Sequence, residues 1–72
     1  MLIKRSITLG GHATSVALEP EFWSGLEDVA RDADVTIGRL IELVDAERGE
    51  KPLASALRVA ALNYYKKAAQ RG

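Results

Sequence analysis

The chain passes directly from a strand-like segment into a helix-like one at Thr14-Ser15-Val16-Ala17-Leu18-Glu19-Pro20-Glu21-Phe22-Trp23. Among the first five residues, the larger Thr14, Val16 and Leu18 alternate with the small Ser15 and Ala17, and two of them are β-branched, which favours a strand with one apolar face. Proline is tolerated at the first helical position, and acidic residues beside it favour the positive end of the helix dipole. The segment therefore predicts a strand over about 13–18 and a helix over about 20–33.

A second strand-like segment, about 2–9, precedes the first, and Gly10-Gly11 separates the two. Paired glycines between strands are typical of a two-residue hairpin turn. In that register one face would carry the mostly apolar set Ile3, Ile7, Leu9, Thr14, Val16 and Leu18. The opposite face would carry the small or polar set Lys4, Ser6, Thr8, Ala13, Ser15 and Ala17. This division suits a half-buried hairpin, while a flexible basic arm over the same residues remains the alternative.

Apolar residues recur at helical spacing in three segments. The first stripe comprises Phe22, Leu26, Val29, Ala30 and Ala33. Thr36 is a suitable N-cap for a second helix over about 36–47, with the stripe Ile37, Leu40, Ile41 and Val44. Gly49 and Pro52 then predict a stop, and a third helix follows over about 53–69 with the stripe Leu53, Leu57, Ala60, Ala61, Tyr64 and Ala68.

The stripes predict which side chains are buried. We expect the core to contain Phe22, Leu26, Leu40, Ile41 and Val44. Trp23 follows Phe22 and points about 100° away from it on a helix, so we expect it to pack in a dimer interface. One chain of 72 residues is too small to shelter three stripes and a strand, so the sequence predicts a homodimer built from a single domain over 1–72.

Length and composition exclude several classes of protein. A chain of 72 residues with no cysteine and one histidine offers no disulfide, no thiolate metal site and no imidazole cluster. No nucleophile, base and oxyanion donor can be assembled from the remaining residues, so we expect neither an enzyme nor a metal or cofactor. No apolar run approaches the length of a membrane span or of a secretory h-region. We therefore expect a cytoplasmic protein with no membrane contact.

Charge is distributed unevenly, although the formal net charge is zero. All ten acidic residues lie within 19–50, whereas residues 1–18 and 51–72 carry only basic ones. A basic surface would arise if the two ends converge in the fold; ordinary solvated faces are the simpler interpretation.

The order of these motifs resembles the ribbon-helix-helix superfamily. Thr14 to Trp23 looks like its strand-to-helix junction, and Asp34-Val35-Thr36-Ile37-Gly38-Arg39-Leu40-Ile41 is similar to its inter-helix turn and second helix. With Lys4-Arg5-Ser6, Gly11-His12 and Leu53-Ala54-Ser55-Ala56-Leu57-Arg58, the chain resembles a small bacterial family of stand-alone domains of this type. The resemblance implies a mainly α, α+β fold: a ribbon-helix-helix with an extra C-terminal helix, assembled as a two-fold dimer.

The resemblance also implies a function. A two-stranded β-ribbon would enter the major groove of double-stranded DNA, as in a small transcriptional regulator. Ala13, Ser15 and Ala17 would face the bases, the N–H groups at Thr36 and Ile37 would contact phosphate, and Lys4 and Arg5 would reach the DNA from the N-terminal arm. The expected dimer interface comprises Val16, Leu18, Trp23, Leu40, Ile41 and Val44.

The groove-facing set also supports an alternative function. Alanine at 13 and 17 neither donates nor accepts a hydrogen bond, and the outer strand face is weakly polar. Together with zero net charge and an acidic first helix, this favours a protein-interaction module, such as an antitoxin-like or partner-binding dimer without base readout.

Overall fold

The computed structural model describes residues 1–70 and contains two strands followed by three helices. Their bounds are β1 (Ile3–Leu9), β2 (His12–Leu18), α1 (Pro20–Ala33), α2 (Ile37–Glu47) and α3 (Leu53–Gln70). Each boundary lies within one residue of its predicted position. The architecture is the expected mainly α fold with an N-terminal hairpin and an additional C-terminal helix.

The hairpin replaces the flexible arm as the conformation of the N-terminal segment. Strands β1 and β2 pair antiparallel, from Ile3 opposite Leu18 to Leu9 opposite His12. Gly10 and Gly11 have φ values of +56° and +82°. A type I′ turn requires positive φ at both central residues, which glycine adopts without a Cβ clash. The two glycines therefore fix a tight turn and, with it, the register of the two strands.

Local signals also set the limits of the first two helices. Pro20 occupies the first turn of α1. Asp34 ends that helix in the left-handed region at φ +59°, and its N–H and that of Val35 donate to the last-turn carbonyls of Arg31 and Ala30. Such a C-cap usually uses glycine, and aspartate is among the few residues that tolerate it. Thr36 then caps α2 as predicted, because its Oγ1 accepts the N–H of Arg39 at 3.1 Å.

The core lies between the inner face of the hairpin and the three helices. Its buried residues are Val16, Leu18, Trp23, Leu26, Ala30, Leu40, Ile41, Leu57 and Ala61. Ile3, Ile7 and Leu9 of β1 pack against it as partly buried side chains. The apolar and polar faces predicted for the hairpin are those observed. Burying one side chain of this kind contributes about 1.5–3 kcal/mol, so the core supplies the main driving force for folding.

The buried face of α1 is rotated from its predicted position. Trp23 is only 2% exposed, whereas Phe22 is half-buried and Ala33 is exposed. Phe22 and Val44, which were expected in the core, are half-buried and pack against its edge. The reason is a contact with β1: the indole Nε1–H of Trp23 donates to the carbonyl of Ile3 at 2.7 Å. This hydrogen bond draws Trp23 beneath β1 and leaves its neighbour at the edge of the core.

Helix α3 is held against α1 by a polar contact. The hydroxyl of Tyr65 donates to Asp28 Oδ2 at 2.6 Å, and Arg31 pairs with the other carboxylate oxygen at 2.9 Å. Gly25 makes room for this contact, since a Cβ there would lie 3.2 Å from Cε2 of Tyr65. We call this pairing of Asp28 and Tyr65 the α1–α3 clamp.

Candidate nucleic-acid interface

The outer face of the hairpin is formed by three opposed pairs of side chains. These pairs are Lys4 with Ala17, Ser6 with Ser15, and Thr8 with Ala13. All are exposed except Ala17, which is partly covered. Because every side chain but lysine is small, a flat object can approach the backbone of both strands closely. The face therefore combines three hydroxyl groups, two methyl groups of alanine and one cation.

Arg5 does not share this face with Lys4. It lies opposite Val16 on the inner side of the hairpin, where its guanidinium sits 4.6 Å from the centre of the Trp23 ring. Its Nη1 is also 3.9 Å from Oε2 of Glu27. A cation over an indole ring is stabilised by the ring's negative face. The structure thus separates two residues that the predicted DNA contact had grouped, and only Lys4 points away from the core.

The N-terminus of α2 borders a groove beside β1. This groove has a volume of about 430 Å³, and Trp23 and Ile41 contribute to its lining together with Arg5 to Thr8 and Thr36 to Arg39. The first-turn N–H groups of a helix have no intrahelical partner. Thr36 caps the N–H of Arg39, which leaves the amides of Ile37 and Gly38 as donors at the positive end of the helix. Such a terminus favours phosphate.

Arg39 adds a cation at the same helix end, partly neutralised by its neighbour. Its Nη1 lies 3.5 Å from Oε1 of Glu42, and both side chains are largely exposed. An exposed pair of this kind contributes little to stability, so the guanidinium can exchange its partner. Residues 5–8 of β1 and the start of α2 thus frame one surface that carries Arg39 and the two first-turn amides, while Lys4 lies on the outer face of the hairpin opposite Ala17.

The junction between β2 and α1 is joined to α3 by an ion pair. Arg58 Nη2 lies 2.9 Å from Oε1 of Glu19, and its guanidinium stands 5.7 Å from the Phe22 ring. A hydrogen bond from its own backbone N–H, and then the Arg58 pairing, hold the pKa of Glu19 below its usual range. The pair holds the strand-to-helix junction in place, so the outer face of β2 has a defined orientation.

The side chains predicted for a dimer interface lie mostly inside the chain's own core. Val16, Leu18, Trp23, Leu40 and Ile41 are each at most 8% exposed, and Val44 is half-buried. In this conformation the first five are not available to a partner, and their interface role stays a prediction. Within the described part of the helices, the large apolar side chains that remain exposed are Leu43, Val59, Leu62 and Tyr65.

Two residues that were not predicted as site residues also lie on the outer face of the hairpin. Ser6 and Thr8 lie on the outer face next to Ser15 and Ala13, although no DNA contact was assigned to them. The alternation of side chains along 2–9 already predicted this position. It was not used, because the DNA contact assigned to this segment assumed a flexible arm, which has no fixed face. Within residues 1–70, no group of three histidine, cysteine, aspartate or glutamate side chains is placed to hold a metal ion, and no helix has the length and hydropathy to cross a membrane.

Comparisons with known proteins agree with this architecture. A family model described as a ribbon-helix-helix domain matches residues 2–65. An uncharacterized protein of known structure from Bordetella pertussis Tohama I is 36% identical and superposes with a TM-score of 0.83. The match covers 97% of this chain but only 60% of that one, so the chain spans less than two thirds of its structural relative. No curated protein matches the sequence. The chain belongs to the ribbon-helix-helix domain family.

Proposed function

We propose that the protein is a small homodimeric DNA-binding regulator that acts in the cytoplasm, where it meets the chromosome. The observation that carries this proposal is the outer hairpin face, which presents small and polar side chains beside the N-terminus of α2. A two-stranded ribbon fits the major groove, and a helix N-terminus fits the flanking phosphate. Family membership supports the same function. Catalysis forms no part of the proposal.

The side chains determine which residues would contact bases and which would contact phosphate. Ser15 would contact base edges, while Ala13 and Ala17 would pack against thymine methyl groups. Lys4 and the amides of Ile37 and Gly38 would bind phosphate, which supplies affinity without sequence preference. With so few cations on the surface, we expect modest affinity and a shallow slope of log affinity against log salt.

Exposed apolar side chains on α2 and α3 support the homodimer. Leu43, Val59 and Leu62 are 43%, 51% and 55% exposed, respectively. Apolar side chains of this size on neighbouring helices gain free energy when a second copy covers them. Analytical ultracentrifugation at micromolar concentration checks this part of the proposal, and a stably folded monomer as the only species would contradict it.

The test of DNA binding uses a matched pair of lysine variants. Fluorescence anisotropy with genomic duplex fragments at several salt concentrations gives the slope of log affinity against log salt. Lys4→Ala should reduce that slope by about 0.9 for each lost phosphate contact, hence by about two per dimer. Lys51→Ala removes the same charge from the loop between α2 and α3 and should leave the slope unchanged. If Lys4→Ala leaves the slope unchanged, as Lys51→Ala should, the outer hairpin face does not contact DNA.

A protein-interaction module is the second candidate, favoured by the same exposed side chains. If Leu43, Val59 and Leu62 receive a different protein rather than a second copy, the hairpin need not touch DNA. Absence of binding to any duplex at low salt, combined with a monomeric state in solution, would favour this candidate over the first.

A further inference from the structure

We propose that Arg58 of α3 is a positioning residue for DNA binding: through its ion pair with Glu19 it holds β2 at the angle to α1 in which the protein binds DNA. This inference rests on the proposed DNA-binding function and deepens it, since it gives helix α3 a part in that function. Neither Arg58 nor Glu19 contacts DNA in this arrangement. Both act on the strand that precedes α1.

A single residue connects the hairpin to the helices. Strand β2 ends at Leu18 and α1 begins at Pro20, so the direction of the strand relative to the helix depends on the backbone of Glu19. Its φ and ψ are −60° and 147°, an extended conformation that a following proline favours. The proline still allows a ψ range of about 40°, and a rotation within that range turns the whole strand. A contact from elsewhere in the fold is needed to fix the angle.

The side chain of Glu19 makes such a contact. Glu19 occupies the N-cap position of α1, where a side-chain oxygen usually accepts a first-turn N–H, but its carboxylate makes no such bond. Its Oε1 instead accepts from Nε and Nη2 of Arg58, at 3.0 and 2.9 Å. The two residues are 39 positions apart in the chain. The carboxylate at the start of α1 therefore serves a tertiary contact rather than the helix end.

Arg58 is itself held in place by its surroundings. The preceding residue, Leu57, is fully buried, which anchors this turn of α3 in the core. The guanidinium also stands 5.7 Å from the centre of the Phe22 ring. Apolar burial keeps β2 against the helices but has no preferred direction, whereas charge-assisted hydrogen bonds from a planar guanidinium are directional. The ion pair therefore fixes the angle at the hinge residue.

The ion pair has no net charge, which separates positioning from electrostatic attraction. Two nitrogens of Arg58 are engaged by Glu19, and the Glu19 carboxylate would repel a phosphate. Replacing both side chains with neutral ones leaves the net charge of the protein unchanged. A loss of DNA affinity in that double variant therefore reports the geometry of the hairpin and not its charge.

The test compares two double variants that each remove one ion pair. Glu19→Gln/Arg58→Met removes the pair at the hinge and keeps an apolar stem beside Phe22. The matched control, Asp45→Asn/Arg48→Met, removes the pair at the C-terminal end of α2, where Arg48 Nε lies 2.6 Å from Asp45 Oδ1. The side chains are 32% and 40% exposed in the first pair and 32% and 33% in the second.

Fluorescence anisotropy at about 0.15 M salt measures binding to the genomic duplex that the wild-type protein binds most tightly; at this salt distant charges are largely screened. Circular dichroism and analytical ultracentrifugation confirm that fold and oligomeric state are kept. The urea midpoints of the two double variants should fall by similar, small amounts, because both pairs are partly exposed. A purely structural role would therefore not separate their DNA affinities.

We expect Glu19→Gln/Arg58→Met to weaken binding by about four- to 25-fold. Each hinge should lose a factor of about two to five in the binding-competent fraction, which is the contribution of an exposed ion pair, and a dimer has two hinges. The Asp45→Asn/Arg48→Met control should bind as the wild type does. Glu19→Gln alone should also weaken binding, although the loss of a negative charge by itself would strengthen it.

The outcomes separate the inference from the function on which it rests. Wild-type affinity of Glu19→Gln/Arg58→Met, or an equal loss in the control, would overturn the positioning role of Arg58 and leave the proposed function standing. Stronger binding by Glu19→Gln would also overturn that role, since charge alone would then explain the result. Absence of DNA binding by the wild-type protein would overturn the proposed function itself.

Discussion

Replacing Trp23 with phenylalanine tests how the hairpin is fastened to the helices. The variant loses the indole N–H that donates to the Ile3 carbonyl at 2.7 Å, a contribution of about 0.5–1.5 kcal/mol. It weakens the stacking of Arg5, worth about 0.5–1 kcal/mol. It also leaves a void where a side chain only 2% exposed had packed. Together these losses should lower the free energy of unfolding by about 2–4 kcal/mol.

That loss is large for a chain of this size. Native domains are stable by about 0.05–0.15 kcal/mol per residue, which corresponds to about 4–11 kcal/mol here. Urea unfolding followed by far-ultraviolet circular dichroism measures the change, since the variant has no tryptophan fluorescence. The midpoint should fall with little change in slope. A loss below about 0.5 kcal/mol would show that the indole is not part of the core described above.

The fluorescence of the wild-type protein gives an independent check, because Trp23 is the only tryptophan. An indole inside the chain's own core should emit as a buried one at every protein concentration at which helix content is constant. A red shift on dilution at constant helix content would mean that a second copy covers Trp23, as the sequence interpretation expected.

Further variants test the core, the α1–α3 clamp and the assembly. Leu26→Ala, at a fully buried site, should cost about 2–5 kcal/mol in urea unfolding, whereas Leu2→Ala at an exposed site should cost well under about 1 kcal/mol. Equal losses would show that the face of α1 assigned to the core is the wrong one. Tyr65→Phe should lower the unfolding midpoint at neutral pH but not in strong acid. A decrease of the midpoint that is the same at every pH would contradict the α1–α3 clamp. The hydrogen bond from Tyr65, and then Arg31, lowers the pKa of Asp28, so its contribution is present above the ordinary carboxyl pKa of about 4 and lost as pH falls through the lowered value. The same bond raises the pKa of Tyr65, so the contribution is also lost in strong base. If the homodimer is required for stability, the melting temperature should rise with protein concentration, and a constant melting temperature would argue against it.

Much of the architecture could be predicted because its signals are local. Gly10-Gly11, Pro20 and Thr36 act through the backbone of their immediate neighbours, so the turn and the helix starts lie where the sequence places them. Asp34 ends α1 without the usual glycine, yet the apolar stripe, whose last member is Ala33, already predicted this end. The alternation of side chains likewise predicted which face of the hairpin turns inward.

The candidate site was only partly predictable, because its composition depends on whether residues 2–9 form a strand paired with β2 or a flexible arm. The side chains at 13, 15 and 17 were assigned to the outer face from their alternation alone, and the structure places them there. Arg5 follows the same alternation onto the inner face, but the idea of a flexible arm had paired it with Lys4. Ser6 and Thr8 were missed for the same reason, since a paired strand has a fixed outer face whereas a flexible arm has none.

The sequence by itself determined the order of elements, the turn, the caps and the two faces of the hairpin, since each depends on residues close together in the chain. The tertiary structure decided which of two adjacent aromatic residues is buried and how the strands relate to the helices. Phe22 and Trp23 have similar hydrophobicity, and helical spacing cannot choose between them. The choice depends on a carbonyl of Ile3, twenty residues away, that accepts the indole N–H. Only the folded chain brings those two groups together, and with them β1, Arg5 and the groove beside α2.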